Sequence, residues 1–174
     1  MQLAETASHL LSVLDPEGVL IGGICGALYG VERFTRDVDI AAGVDPEEIV
    51  RRLGAVNIDA EIRRSNDPDD LSWVVHGEID GIPFQVLPAS ETGIDCAVFE
   101  LKAGLRVADI RSFIVSKCLA AGQQDMHDVA ALCLIYPELE GFCCESAAAH
   151  GCLEKLESWL GDRRLRQRYS SKAE

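Results

Sequence analysis

Asp37 and Asp39, one residue apart in "TRDVDI", are the side chains of this chain best suited to chemistry. Successive side chains of a strand point to opposite faces. Both carboxylates would therefore project from one face while Val38 and Ile40 anchor the other. Close like charges disfavour each other's ionisation, and a divalent cation reverses that penalty. Mg²⁺ suits such a pair, since it takes a couple of carboxylates together with substrate phosphates. Two solvated aspartates on an exposed strand would give the same triplet. Upstream stands Gly22-Gly23 in "VLIGGICGALYG". Without Cβ atoms these residues let the main chain approach a ligand and turn its amides to an anion, and a helix starting just after them adds its positive end. A glycine pair also serves as a plain turn, and the lysine and spacing of a phosphate-gripping P-loop are missing.

The surrounding pattern supplies the elements that must position these groups. Leu3, Ala7, Leu10, Leu11 and Leu14 recur at helical spacing, and Asp15-Pro16-Glu17-Gly18 stops them. Val19-Leu20-Ile21 is a short apolar run that reads as a buried strand, 24–30 as about two helical turns, and 37–41 as a second strand. Asp45-Pro46-Glu47-Glu48 predicts a capped helix start with proline in the first turn, running to Leu53. Residues 55–70 fit no single pattern. Asp80-Gly81 between 71–79 and 82–87 predicts a two-residue hairpin, with Pro83 at an edge or a strand start. From Asp109 the pattern is helical: Asp109 starts a run to Ala121, Asp125 starts another to Ile135, and 138–149 and 152–160 follow. The expected class is α/β (α+β), with a mixed α/β front and an all-helical rear joined without a clear linker.

The chain has 174 residues, of which 48% are hydrophobic, enough for a sizeable core. Its 29 acidic and 16 basic residues leave a net charge of −13, a surface that repels long nucleic acid while permitting a small phosphorylated ligand in a local pocket. Seven cysteines, no basic-then-apolar start and no bilayer-length apolar run lead us to expect a cytoplasmic protein with reduced thiols, away from membranes.

Strand, Gly-Gly, short helix, "VERFT" and Asp-x-Asp strand together resemble the nucleotidyltransferase superfamily that includes DNA polymerase beta. The closest likeness is to small bacterial members, the abortive-infection type nucleotidyltransferase toxins and relatives of the aminoglycoside nucleotidyltransferases. Gly22, Gly23, Ala27, Gly30, Arg33, Thr35, Asp37 and Asp39 carry the resemblance over residues 19–41, and a weaker match continues to about 135. It implies a mixed sheet flanked by helices, with a nucleotidyltransferase-like core over 1–102 and a helical C-terminal part, 103–174, packed on it.

The same resemblance implies roles. Asp37 and Asp39 would be the catalytic carboxylates holding Mg²⁺, and Gly22-Gly23 would contact a nucleoside triphosphate. Arg33 and Thr35 would steady its phosphates or brace the loop; for Arg33 a salt bridge to Glu32 or Asp37 is the other reading. The implied partners are the nucleotide and a small-molecule or protein acceptor, and a protein partner is open. The family's third carboxylate, which acts as base, falls in "GIPFQVLPAS" on Gln85, an amide that cannot accept a proton. Glu78, Asp80 and Asp95 are the nearby acids, with Asp80 better explained by its turn. In "SKCLAAGQQDMHDVAAL", Lys117 matches the family's lysine, approaching phosphates or the site carboxylates, or else stands as a solvated helix residue. Asp125 and Asp128 match capping or orienting acids, and Gln123-Gln124 replaces an expected arginine.

Other groups are weaker. Cys143, Cys144, His150 and Cys152 lack zinc-site spacing. His9 reads as a surface helix residue, His76 as a strand residue and His127 as an early helix residue. The basic stretch "RRLRQRYSSK" reads as a solvated, frayed tail, with a clasp on the domain's own acidic face, a helix cap, or an RNA or protein contact as alternatives.

Overall fold

The computed structural model describes residues 2–169, which form two units. One comprises the chain up to Leu28 together with Arg33–Asp109, and the other Tyr29–Glu32 together with the chain from Ile110 onward.

The first unit is built on a mixed sheet. Its strands are β1 (Gly18–Ile21), β2 (Val38–Ala42), β3 (Ala60–Arg64), β4 (Trp73–Ile79), β5 (Ile82–Pro88), β6 (Phe99–Lys102) and β7 (Leu105–Ala108). They lie in the order β3-β4-β5-β2-β1-β7-β6. β1 runs antiparallel to β2, whereas β2 and β5 are parallel, as are β1 and β7. The Asp80-Gly81 turn joins β4 to β5 as expected, both residues holding positive φ (50° and 79°), which suits a two-residue hairpin loop. Pro83 is the second residue of β5, a strand start inside the sheet and not at its edge.

Alternation sorts the strands' two faces. Phe84 and Val86 are buried while Pro83 and Gln85 are exposed; Val38 and Ile40 are buried while Asp39 is half-buried. Helix α1 (Leu3–Val13) lies against β1, β2 and β7 and buries Ala7, Leu10 and Leu11. Helix α3 (Pro46–Ala55) lies against β3 and β4 and buries Ile49 and Leu53. Each such aliphatic or aromatic side chain contributes roughly 1.5–3 kcal/mol by leaving water, so one apolar face is enough to hold the other in a fixed frame. Asp45 takes the extended N-cap conformation, but its side chain makes no cap bond; Pro46 and the acids of the first turn favour the start instead. Helix α2 (Gly22–Leu28) begins at the glycine pair itself, two residues earlier than the pattern suggests, and α4 (Ala89–Thr92) follows β5.

The second unit is helical: α5 (Ile110–Ala120), α6 (Gln123–Ile135), a 3₁₀ turn at Pro137–Leu139, α7 (Glu140–Ala149), α8 (Leu153–Leu160) and α9 (Arg163–Tyr169). Helix α6 is its centre, with Met126, Val129, Ala130 and Leu132 fully buried among α5, α7, α8 and α9. Tyr29 stacks on Phe113 at 6.2 Å between centroids, and the Tyr169 hydroxyl accepts the Glu32 amide at 2.7 Å. The expected frayed tail is therefore corrected for 163–169: these residues are helical because Leu165 and Tyr169, four apart, share a buried face. The remaining 170–172 of that stretch lie outside the described residues.

Candidate functional site

The antiparallel register of β1 and β2 sets Ile21 opposite Asp39, so the chain leaving β1 at Gly22 passes directly beside that carboxylate, while Asp37 lies just before the start of β2. Gly22 holds φ +65°, and a Cβ placed on it would lie 1.9 Å from Asp39 Oδ2 and 2.7 Å from Asp39 Cγ. Gly23 is equally constrained: a Cβ there would lie 2.4 Å from Thr35 Oγ1 and 3.3 Å from an Arg33 guanidinium nitrogen. No residue but glycine lets main chain and carboxylate come this close. Thr35 in turn donates its hydroxyl to Asp37 Oδ1 at 2.9 Å, fixing that carboxylate. The fold thus brings Gly22, Gly23, Arg33, Thr35, Asp37 and Asp39 together. Beside them Phe34 is 78% exposed, with the Arg36 guanidinium 5.0 Å from its ring centre. Nothing in the sequence pattern singled out that exposed ring.

Among the described residues, no three or more His, Cys, Asp or Glu side chains converge to hold a metal unaided. A cation at Asp37 and Asp39 would therefore draw only two carboxylates from the protein and fill its sphere with phosphate oxygens and water. Hard oxygen donors in that number fit Mg²⁺.

Across β2, Asp39 pairs with Gln85 of β5, which in turn pairs with His76 of β4 and so with Glu61 of β3. Gln85 is thus the immediate neighbour of Asp39, and no carboxylate stands there. Of the nearby acids, Glu78 pairs with Pro83 on the next row of the same face. Asp80 forms the turn, and Asp95 accepts the Ala97 amide of its own loop.

In the helical unit Lys117 is not a solvated residue. Only 8% exposed, its ammonium sits 2.8 Å from Asp125 and 3.4 Å from the fully buried Asp128, and 5.5 Å from the Phe113 ring centre. Asp125 also accepts the Gly122 amide at the start of α6, and Gln124 donates to Asp128 at 2.9 Å. Asp125 caps α6, and both acids hold the Lys117 ammonium. Burial pushes the Cys118 thiol up to about 12 and the Cys96 thiol up to about 11, far from a reactive thiolate. His9 is exposed on α1, and His127 packs edge-on against Trp159. No described helix is long and apolar enough to cross a membrane.

No protein-family model matches the chain, and no curated protein matches it. Solved structures do. A crystal structure of ANT(2″)-Ia in complex with adenylyl-2″-tobramycin aligns with a TM-score of 0.50 at 18% identity, over 97% of this chain and 99% of that one. A solution structure of the antibiotic-resistance factor ANT(2″)-Ia gives 0.50 at 16% identity, over 98% and 94%. A candidate nucleotidyltransferase from Helicobacter pylori aligns with a TM-score of 0.49 at 17% identity, over 99% of this chain and 91% of that one. At such identities the likeness speaks for architecture. The chain has the fold of the nucleotidyltransferase superfamily.

Proposed function

We propose that the protein is a Mg²⁺-dependent nucleotidyltransferase, moving a nucleoside monophosphate from a nucleoside triphosphate to a hydroxyl acceptor. One observation carries the reading: the Asp39 carboxylate lies against the bare main chain of Gly22, while Thr35, packed on Gly23, donates its hydroxyl to Asp37. In the reaction the acceptor oxygen bonds to the α-phosphorus, the bond from that phosphorus to the β-phosphate bridge breaks, and pyrophosphate leaves with the electron pair. The cation, when bound, would neutralise the phosphates and align the two oxygens. Asp37 and Asp39 hold that charge in place. Gly22 and Gly23 let the main chain pass against Asp39 and Thr35, and Arg33, next to Gly23, would offer a planar cation to the triphosphate's oxygens.

The net charge of −13 favours a small-molecule or protein acceptor over long nucleic acid. Seven free thiols fit the cytoplasm, and the abortive-infection likeness leaves room for a protein partner. A second reading, a lapsed member that binds nucleotide or a partner without transfer, is favoured by Gln85 where a carboxylate is expected. Incubating the protein with a cell lysate and each of four α-labelled Mg·NTPs separates the two. Label appearing on an acceptor supports transfer; nucleotide binding with no labelled product supports the lapsed form.

A further inference from the structure

The polar row across the sheet contains a group able to do what Gln85 cannot. Asp39, Gln85, His76 and Glu61 are successive cross-strand partners on β2, β5, β4 and β3. Paired residues of neighbouring strands share a face, so all four project from the side of the sheet that carries the aspartates. The buried side is occupied by Ile40, Val86 and Val75. Gln85 is exposed and the His76 side chain is 36% exposed, so this face is open at the imidazole. With adjacent strands about 4.8 Å apart, His76 stands about 10 Å from Asp39 along the row. A phosphate held at Asp39, and a hydroxyl attacking it, fit within that span.

Resting on the transferase reading above, we propose that His76 accepts the proton of the acceptor hydroxyl, taking over the task of the carboxylate that is absent at position 85. As the acceptor oxygen bonds to the α-phosphorus, its O–H bond breaks and the proton passes to the imidazole. It returns to solvent after pyrophosphate leaves. Glu61 Oε2 lies 3.8 Å from His76 Nε2 and supplies a negative partner for the charge the ring gains. With Nε2 on the Glu61 side, Nδ1 is the accepting nitrogen. The other groups around the ring are Glu78 on its own strand, Asp59 and Arg63 flanking Glu61, and the uncharged Pro83, Gln85 and Leu87 of β5. Glu78 is the rival proton acceptor. It stands opposite Pro83, one row off the line that joins Asp39 to Gln85.

The test uses the intact protein with Mg·ATP, Mg·GTP, Mg·CTP and Mg·UTP, with water as the acceptor. It measures nucleotide binding by calorimetry, pyrophosphate release from pH 5 to 9, and the histidine ring resonances by NMR. His76→Gln should keep Mg·NTP affinity within about twofold and slow pyrophosphate release by roughly 10²–10⁴-fold. It should also flatten the pH profile of the rate relative to the wild type. In the wild type the ring signal missing from His76→Gln should shift when Mg·NTP is added, and His76→Asn should behave as His76→Gln does. Equal rates and pH profiles in wild type and His76→Gln overturn the proposal, as does a loss confined to Glu78→Gln. Binding with no pyrophosphate release from the wild type overturns it too, leaving nucleotide binding in place. A wild type that binds no Mg·NTP overturns the transferase reading itself.

Discussion

Replacing Gly22 by alanine is the sharpest perturbation of the site. The added Cβ would sit 1.9 Å from Asp39 Oδ2 and 2.7 Å from Asp39 Cβ, at a φ of +65° that L side chains disfavour. The left-handed backbone costs about 1–2 kcal/mol and the steric overlap about 1–3 kcal/mol. A total near 2–5 kcal/mol corresponds to a melting temperature lower by roughly 5–15 °C for a chain of this length. If the Asp39 side chain rotates away, part of that loss is recovered, but the carboxylate then leaves its place against Gly22. Either way, metal-dependent nucleotide binding falls at least tenfold. Gly54→Ala is the control. It lies in α3 with open space around it, so it should stabilise the protein by about 0.5–1 kcal/mol and leave binding unchanged. Calorimetric titration with Mg·ATP beside thermal melting reads both effects. Gly22→Ala with wild-type melting and wild-type affinity would refute the packing argument.

Three more substitutions probe other parts of the structure. Thr35→Val removes the hydroxyl that fixes Asp37; metal-dependent affinity should drop by about 0.5–1.5 kcal/mol, with Thr35→Ser restoring it in the same titration. Lys117→Met strips the buried Asp128 of its cation, and urea unfolding should show a loss of about 3–5 kcal/mol. Glu48 is held down to about 2 from 4.5 by hydrogen bonds from Arg51 and then Arg52. A lowered folded-state value stabilises above the unfolded value and is lost as the pH falls. The difference in melting temperature between wild type and Glu48→Gln should therefore be present at pH 7 and shrink from pH 4.5 towards 2; a difference that grows on acidification contradicts it.

Much of the site is legible in the sequence because it is local. The strand alternation from Val38 fixes the face that Asp39 takes, although β2 starts one residue later than expected and leaves Asp37 just outside it, and the glycine pair marks the place where main chain must pass close by. The sheet beyond that region is harder to read. β3, "AEIRR", is a polar edge strand with no fully buried residue, half-burying only Ala60 and Ile62, and β6 exposes Phe99 and Leu101. The turn before β7 places Ala103 at φ 51°, and alanine is no turn signal. Helix α9 hides two buried residues among four arginines. The His76–Gln85 pairing carried a signal that goes unused when motifs alone are read. A two-residue turn at Asp80-Gly81 sets Ile79 opposite Ile82, and counting back sets His76 opposite Gln85.

The most direct test is calorimetry of each Mg·NTP, with magnesium present and chelated, on the wild type, Asp37→Asn and Asp39→Asn. Binding that requires magnesium in the wild type and vanishes in both variants is the expected outcome. Binding indifferent to magnesium, or intact in both variants, would contradict a cation-gripping aspartate pair.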